Sequence, residues 1–173
     1  AHLLNYTDLD GCQVVAIAEV RPELAARVAS RYEIPKVYAD HREMLAAESL
    51  DGIVAAQPFT RHGVLLPELF EAGVPVLTEK PLARSIQTGR RLVQAGARHV
   101  LGYHKRSDPA VLYAMERIGQ LRSSGELGPL RYVRVLMPGG DWIANGFTHR
   151  VDTGEAVPPL DVDPPAADMD QET

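Results

Sequence analysis

The most informative stretch of this chain comprises twelve residues, AGVPVLTEKPLA at positions 72–83. Within them, Val74–Leu77 is a short apolar run of the kind that forms a buried strand. The charged turn Glu79-Lys80-Pro81 follows almost immediately. A buried strand that ends in a polar turn is typical of a parallel α/β sheet, in which ligands bind beyond the carboxyl ends of the strands.

The same alternation of strand and helix extends over most of the chain. Short apolar runs predict strands, and apolar residues at three- and four-residue spacing predict helices. In the first long helix, Leu24, Val28 and Tyr32 are expected to form the buried stripe, with Ala25 and Ala29 beside them. The predicted strands are 13–18, 37–38, 51–56, 74–77 and 99–103, and the predicted helices begin near 22, 42, 64, 85 and 108. The fold class is therefore α/β with a doubly wound parallel sheet.

Both ends of the chain depart from this alternation. Ala1–Asp10 resembles the end of a helix and its connection, so we expect a fragment whose sheet lacks its first strand. Leu130–Met137 alternates apolar residues with arginines, which predicts a strand of a different sheet. Residues beyond Pro138 are predicted to be irregular, and the acidic, Pro-rich segment from Pro158 has too few large apolar residues to pack alone.

Composition excludes several functional classes. The 173 residues are 45% hydrophobic and 24% charged, with a net charge of −5. Residues 151–173 hold seven acidic side chains and no lysine or arginine, whereas the first 150 residues hold 18 basic and 16 acidic ones. This nearly neutral body has no basic stripe for nucleic acid, and no apolar run is long enough to span a membrane. The single cysteine, Cys12, cannot form an internal disulfide, so we expect a cytoplasmic protein.

Glu19 and Arg21 follow the strand 13–18, where a doubly wound sheet binds a nucleotide. A carboxylate at this strand end accepts hydrogen bonds from both ribose hydroxyls of an adenosine. The alternative for Glu19 is a surface carboxylate favoured by a helix N-terminus. Arg21 is a surface residue, a stacking partner for adenine or a ligand for a 2′-phosphate.

Polar residues also follow the strand 51–56. Gln57, Pro58 and His62 come directly after it, at the edge where ligands of open α/β sheets bind. His62 either binds a cofactor or substrate oxygen or is held by the backbone at a helix N-terminus. These residues form a second candidate site at the edge of the sheet.

The strand 74–77 is followed by Glu79 and Lys80. A lysine here presents a positive charge that lowers the pKa of a substrate hydroxyl, and Pro81 biases Lys80 toward an extended backbone. The alternative is a surface ion pair worth at most about 1 kcal/mol. After the strand 99–103, His104-Lys105-Arg106 either binds a phosphate or acidic substrate or lines a crossover between domains. No spacing of His, Cys, Asp and Glu resembles a metal site.

Together these residues resemble the Gfo/Idh/MocA (glucose–fructose oxidoreductase/inositol dehydrogenase) family. The similarity covers roughly Gln13 to Arg134, and the Glu-Lys-Pro element after an Ala-Gly-x-x-Val strand is its most specific part. The supporting segments are Ala18–Glu23, Ala56–Pro58 with His62, and Gly102–Arg106.

The resemblance implies two domains. Residues 1–104 would form a Rossmann-type domain that binds NAD or NADP, and residues 105–173 would begin a C-terminal α+β substrate domain. The glycine loop that binds the pyrophosphate is expected upstream of Ala1. A sugar or polyol is the expected substrate, and we expect the intact protein to be a homo-oligomer without nucleic-acid or membrane partners.

The resemblance also implies roles for individual residues. Lys80 is expected to be catalytic, because it would polarise the reacting hydroxyl or carbonyl. The residues expected to bind the cofactor are Glu19, Arg21, Gln57, Pro58, His62, Glu79, Lys80, Pro81 and Arg106. The acidity of Glu19 favours NAD, whereas Arg21 is compatible with NADP. The family's second-domain acid/base element is not matched by Asp141 and His149, so that role is left unassigned and expected beyond Thr173.

Alternatives to an active oxidoreductase remain open. A non-catalytic binding or regulatory protein on the same fold would bind the nicotinamide cofactor without hydride transfer, and a truncated fragment would be inactive. A flavodoxin-like module unrelated to dinucleotides would not bind the cofactor at all. The Glu79-Lys80-Pro81 turn counts against that last alternative.

Overall fold

Short parallel strands alternate with helices along the first 101 residues. The computed structural model describes residues 2–136 and 151–165. The strands are β1 (Ala16–Ala18), β2 (Lys36–Tyr38), β3 (Ile53–Ala55), β4 (Val76–Thr78) and β5 (His99–Leu101). The helices are α1 (His2–Thr7), α2 (Pro22–Arg31), α3 (His41–Ala47), α4 (His62–Phe70), α5 (Ile86–Gln94) and α6 (Pro109–Ser124), with 3-10 turns at Phe59–Arg61 and His104–Ser107. The predicted α/β class is confirmed.

The strands form two parallel sheets. β1 pairs with β2, with Ala16 opposite Lys36. The second sheet has the order β3-β4-β5, in which Val76 lies opposite both Ile53 and His99. The sequence predicts one doubly wound sheet without its first strand. The structure has two sheets because no strand within residues 2–136 and 151–165 pairs with both β1 and β3.

The hydrophobic core lies on the three-stranded sheet and is supplied mainly by α4. Leu66 and Leu69 of α4 are almost completely buried, as is Val76 of β4. Full burial of such a side chain stabilises the fold by about 1.5–3 kcal/mol. The other members of this cluster are Ile53, Ala55, Leu65 and Leu92. The core therefore holds β3 and β4, whose carboxyl ends carry candidate site residues, in fixed register.

The buried stripe of α2 differs from the predicted one. Ala25 and Ala29 are buried, whereas Leu24, Val28 and Tyr32 are only half-buried. α2 contacts both β1 and β2, and its buried residues are the two small alanines. The periodicity predicted the helix correctly. Its buried face is centred on the alanines and not, as expected, on the larger apolar residues.

Helix starts agree with the sequence where a capping side chain is present. Ser85 caps α5 by accepting a hydrogen bond from Thr88 N at 3.1 Å. Asp108 caps α6 by accepting from Ala110 N at 2.9 Å, and Pro109 occupies the first turn. Both caps satisfy backbone donors that a helix leaves without intrahelical partners.

The described chain divides into two compact units, residues 2–101 with 151–165 and residues 102–136. The boundary predicted from the sequence lies at residue 104. In the second unit, α6 has no buried residue, and Tyr103 and Leu112 are among the exposed apolar side chains of this unit.

The predicted strand 130–137 is wrong for residues 130–136, which form no strand; Met137 lies outside the described residues. A strand needs a hydrogen-bonding neighbour, and alternation of residues alone does not provide one.

Over residues 2–136 and 151–165, no helix has the length and hydrophobicity that crossing a membrane requires. The same residues contain no group of three or more His, Cys, Asp or Glu side chains able to hold a metal ion. Cys12 is a free thiol at an intermediate depth.

Candidate functional site

Candidate site residues follow the carboxyl ends of three strands in the first unit. Glu19 comes directly after β1, Gln57 follows β3, and Glu79 comes directly after β4. Parallel strands present their carboxyl ends at one edge of their sheet, which is where open α/β folds bind ligands. The turns after β3 and β4 therefore share an edge, because these two strands are hydrogen-bonded neighbours.

Glu19 and Arg21 form a bidentate ion pair. Arg21 Nε donates to Glu19 Oε1 at 2.8 Å, and Arg21 Nη2 donates to Oε2 at 3.0 Å. The backbone N of Arg21 also donates to Oε1, at 3.1 Å. The hydrogen bond from the guanidinium lowers the pKa of Glu19 despite its partial burial. The carboxylate is thus ionised near neutral pH, and its two oxygens have defined directions.

The N-terminus of α2 is closed by a carboxylate from the far end of the chain. Glu155 Oε1 accepts from Glu23 N at 3.1 Å, and Glu155 Oε2 accepts from Leu24 N at 2.7 Å. Arg21 occupies the N-cap position but makes no side-chain capping bond. Glu155, although far away in the sequence, therefore supplies the helix cap that the residues before α2 do not provide. It lies next to the Glu19–Arg21 pair.

A second carboxylate from the same segment closes α4. Asp163 is 2% exposed, and its Oδ2 accepts from Gly63 N at 2.9 Å. Its own backbone N donates to Thr60 O at 2.6 Å, and Arg84 Nη1 donates to its carbonyl oxygen at 3.3 Å. Residues 151–163, called the strap below, thus contact the N-termini of both α2 and α4.

Sequence reasoning missed the strap. Its acidic, Pro-rich composition predicts an irregular segment, and the structure does show irregular backbone over residues 151–165. The prediction that it has too few large apolar residues to pack overlooks the hydrogen bonds that its carboxylates accept from the N-termini of α2 and α4. An excess of acidic residues without lysine or arginine was the available signal, because carboxylates bind helix N-termini.

His62 is a buried residue at the start of α4. It is 0% exposed, and its Nδ1 donates to Leu82 O over 3.0 Å. Because a carbonyl oxygen only accepts, this bond places the ring proton on Nδ1 and leaves Nε2 as an acceptor. Nε2 is buried and has no hydrogen-bond partner among the described residues. His62 thus ties α4 to the turn that contains Lys80, and it touches no solvent in this structure.

Gln57 and Pro58 lie between β3 and the 3-10 turn that precedes α4. Gln57 Oε1 accepts from Arg61 Nη1 at 2.9 Å, and Pro58 is exposed at the start of the 3-10 turn. Arg61 in turn donates from Nε to Asp161 O of the strap at 3.2 Å. This turn is therefore connected to the strap as well as to β3.

The turn after β4 presents Lys80 to solvent. Lys80 is exposed, the Lys80-Pro81 peptide is cis, and Pro81 is half-buried. Glu79 Oε1 and His2 Nε2 are 2.7 Å apart, which links this turn to α1. The contact between His2 and Glu79 was not predicted from the sequence, because no local pattern pairs residues that lie 77 positions apart. A held glutamate beside an exposed ammonium is suited to binding and polarising a hydroxyl group.

The remaining basic candidate belongs to the second unit. Arg106 is exposed on the 3-10 turn His104–Ser107, and its backbone N donates to Tyr103 O at 2.9 Å. His104 and Lys105 are exposed on the same turn. Asp141 and His149 lie outside the described residues.

The comparison with protein families decides the identity of the fold. A family model for Gfo/Idh/MocA proteins, described as an oxidoreductase family with an NAD-binding Rossmann fold, matches residues 1–104. The chain belongs to this family. The resemblance inferred from the turn Glu79-Lys80-Pro81 is confirmed, as is the Rossmann type of the α/β fold.

Two curated relatives are sugar or polyol dehydrogenases. The inositol 2-dehydrogenase/D-chiro-inositol 3-dehydrogenase of Shouchella clausii is 32% identical over 118 residues, which cover 65% of this chain and 34% of the relative. The D-apiose dehydrogenase of Paraburkholderia graminis is 28% identical over 138 residues, which cover 78% of this chain and 36% of the relative. The chain thus spans about a third of the length of these relatives.

Two solved structures share the fold. The WlbA dehydrogenase of Bordetella pertussis, solved with NADH and UDP-GlcNAcA, has a TM-score of 0.63 at 25% identity, covering 70% of this chain and 38% of that one. The myo-inositol 2-dehydrogenase of Lactobacillus plantarum has a TM-score of 0.65 at 19% identity, covering 76% and 39%. At 19% identity, the second comparison shows the fold alone.

Proposed function

We propose that the protein carrying this chain is an NAD(P)-dependent oxidoreductase that transfers a hydride between nicotinamide and a sugar, polyol or related substrate. The observation that carries the proposal is the position of Glu19, Glu79 and Lys80, which follow the ends of parallel strands in a member of an NAD-binding oxidoreductase family. The names of the curated relatives support a hydroxylated substrate.

The proposed cofactor site follows these strand ends. Glu19 would accept hydrogen bonds from the adenosine ribose, and the Arg21 guanidinium beside it would border the adenine. Gln57, Pro58, Glu79 and Pro81 would line the nicotinamide half of the cofactor. Because His62 is enclosed, we assign it a positioning role, in which its bond to Leu82 O holds the turn that carries Lys80.

NAD is the favoured cofactor in this proposal. Glu19 is ionised, and a carboxylate that binds ribose hydroxyls repels a 2′-phosphate. The Arg21 guanidinium would attract that phosphate, but its Nε and Nη2 groups already donate hydrogen bonds to Glu19. The arrangement therefore supports a ribose without a 2′-phosphate.

Lys80 is the proposed catalytic residue. A bound nicotinamide supplies the hydride acceptor or donor. The Lys80 ammonium, placed against the substrate hydroxyl, stabilises the negative charge that develops on the oxygen as its proton leaves and the hydride departs from carbon. In the reverse direction the same ammonium polarises the carbonyl. The residue that takes the proton is not assigned.

We further propose a homo-oligomeric, cytoplasmic protein without nucleic-acid or membrane partners. The nearly neutral first 150 residues count against a nucleic-acid partner, and the single cysteine is consistent with the cytoplasm. The homo-oligomeric state is proposed from the family resemblance. Light scattering of the intact protein tests the oligomeric state, and a single-copy mass would contradict it.

A Lys80→Met variant tests the enzymatic proposal. We expect turnover with a polyol substrate to fall by about 100-fold or more, the scale of a lost acid–base or electrostatic group, while NADH affinity stays within a few-fold of the original. Lys36→Met is the matched control, because Lys36 of β2 pairs with Glu48, at the end of α3, and belongs to no candidate site. Unchanged turnover in Lys80→Met would remove Lys80 from the mechanism. Cofactor binding without turnover on any sugar or polyol would favour the non-catalytic alternative.

A further inference from the structure

The strap places a carboxylate at the N-terminus of α2, where backbone N–H groups favour an anion. Glu155 accepts two hydrogen bonds from the first turn of α2, at 3.1 Å from Glu23 N and 2.7 Å from Leu24 N. Backbone N–H groups at a helix N-terminus attract phosphate through both hydrogen bonding and the helix dipole. In α2 these two donors already have an anion, supplied by the chain itself.

The position of Glu155 is held from its own side as well. Thr153 Oγ1 donates to Glu155 Oε2 at 2.8 Å, and Gly154 N donates to Asp152 Oδ1 at 2.9 Å in the preceding turn. Arg27 Nη1 approaches Asp152 O at 3.5 Å. The carboxylate is thus one part of an ordered turn on the surface of α2.

Three carboxylates act on the guanidinium of Arg21. Glu19 binds it directly, and Glu155 and Asp152 add further negative charge nearby, which together raise the pKa of Arg21. Burial opposes the ionisation of Glu155, but hydrogen bonds from Glu23 N, Thr153 and Leu24 N outweigh burial and lower its pKa. The region beside Arg21 is therefore negative near neutral pH.

A 2′-phosphate differs from a ribose hydroxyl by its charge at this location. In a doubly wound fold the acidic residue at the strand end binds the 2′-hydroxyl, and a nearby arginine accommodates the 2′-phosphate. Arg21 and the N-terminus of α2 are positive features close to Glu19. Glu19 neutralises the first and Glu155 neutralises the second.

We propose that Glu155 is a specificity-determining residue that excludes the 2′-phosphate and so makes the protein prefer NAD over NADP. This inference rests on the proposed function, because it concerns the adenosine end of the same cofactor site. It assigns a cofactor-selecting role to a residue that lies 132 positions after Glu23 in the chain. Glu19 would discriminate from the strand end, and the strap would discriminate from the helix.

The test is titration of the protein with NADH and NADPH, each followed by nicotinamide fluorescence. For Glu155→Gln, which keeps the size and one carbonyl oxygen, we expect NADPH affinity to rise about tenfold, on the scale of removing one repulsive surface charge, while NADH affinity changes less than about twofold. Thr153→Val, which removes one of the two hydrogen bonds to Glu155 Oε2, should shift the ratio in the same direction by a smaller factor. Asp161→Asn is the matched control, since it removes an exposed charge from the same strap.

The outcomes separate this inference from the proposed function. NADH binding with the same NADPH-to-NADH ratio in Glu155→Gln and in the original protein overturns the role of Glu155 and leaves the proposed function standing. An equal shift in Asp161→Asn also overturns it, because the effect would then be one of net charge. Failure of the original protein to bind either nucleotide overturns both proposals.

Discussion

At the scale of single residues, several candidate side chains already have hydrogen-bond partners within the chain. Glu19 is satisfied by Arg21, and Glu79 is held by His2. His62 combines complete burial with a single hydrogen bond to Leu82 O. A cofactor that binds Glu19 therefore shares or replaces an existing partner, whereas Lys80 is exposed.

His99 gives the first unit a pH-dependent stability. Burial lowers the pKa of His99 below its ordinary value of 6.5. The unfolded state then binds more protons than the folded state, so stability is complete above about pH 6.5 and is lost as the pH falls through the folded pKa. We expect the free energy of unfolding in urea to decrease between pH 7.5 and 5.5, with a slope below the single-group limit of about 1.4 kcal/mol per pH unit.

The control for this pH dependence is a change of histidine. His99→Gln should flatten the dependence, whereas His104→Gln, at an exposed position of the second unit, should leave it unchanged. An identical slope in His99→Gln and the original protein would contradict the assignment.

At the scale of elements, the strap and α4 approach each other closely. A Cβ added at Gly63 would lie 2.2 Å from Asp163 Oδ1 and 2.5 Å from Thr88 Cγ2, so no side chain fits there without displacing a neighbour. The glycine is required because Asp163 has to reach the backbone N of the same residue. The contact thus depends on the absence of a side chain rather than on the presence of one.

Gly63→Ala tests this close approach. Overpacking at such a site costs about 1–3 kcal/mol, and we expect that loss in urea unfolding, together with faster proteolytic cleavage within residues 151–163. Gly89→Ala is the matched control in α5, because its Cβ would lie 3.8 Å from Leu82 in ordinary van der Waals contact. That control should be neutral or stabilising by up to about 1 kcal/mol. Equal stability of Gly63→Ala and the original protein would show that Asp163 does not occupy the start of α4.

At the scale of the whole molecule, the local features were the predictable ones. The helix caps at Ser85 and Asp108 and the turn after β4 depend on neighbouring residues, and the sequence indicated each of them. The contacts of Glu155 with α2 and of His2 with Glu79 join residues far apart in the chain, and no local pattern encodes them. The strand predicted at 130–137 shows the opposite error, since alternation was present without a neighbouring strand.

A nicotinamide nucleotide, in our proposal, binds across the strand ends of the first unit. Amide hydrogen exchange of the protein carrying this chain, with and without saturating NADH, tests it most directly. We predict slower exchange at residues 19–24 after β1 and at residues 79–82 after β4, with no change in α3. Saturating NADH that leaves exchange at both turns unchanged would contradict the claim.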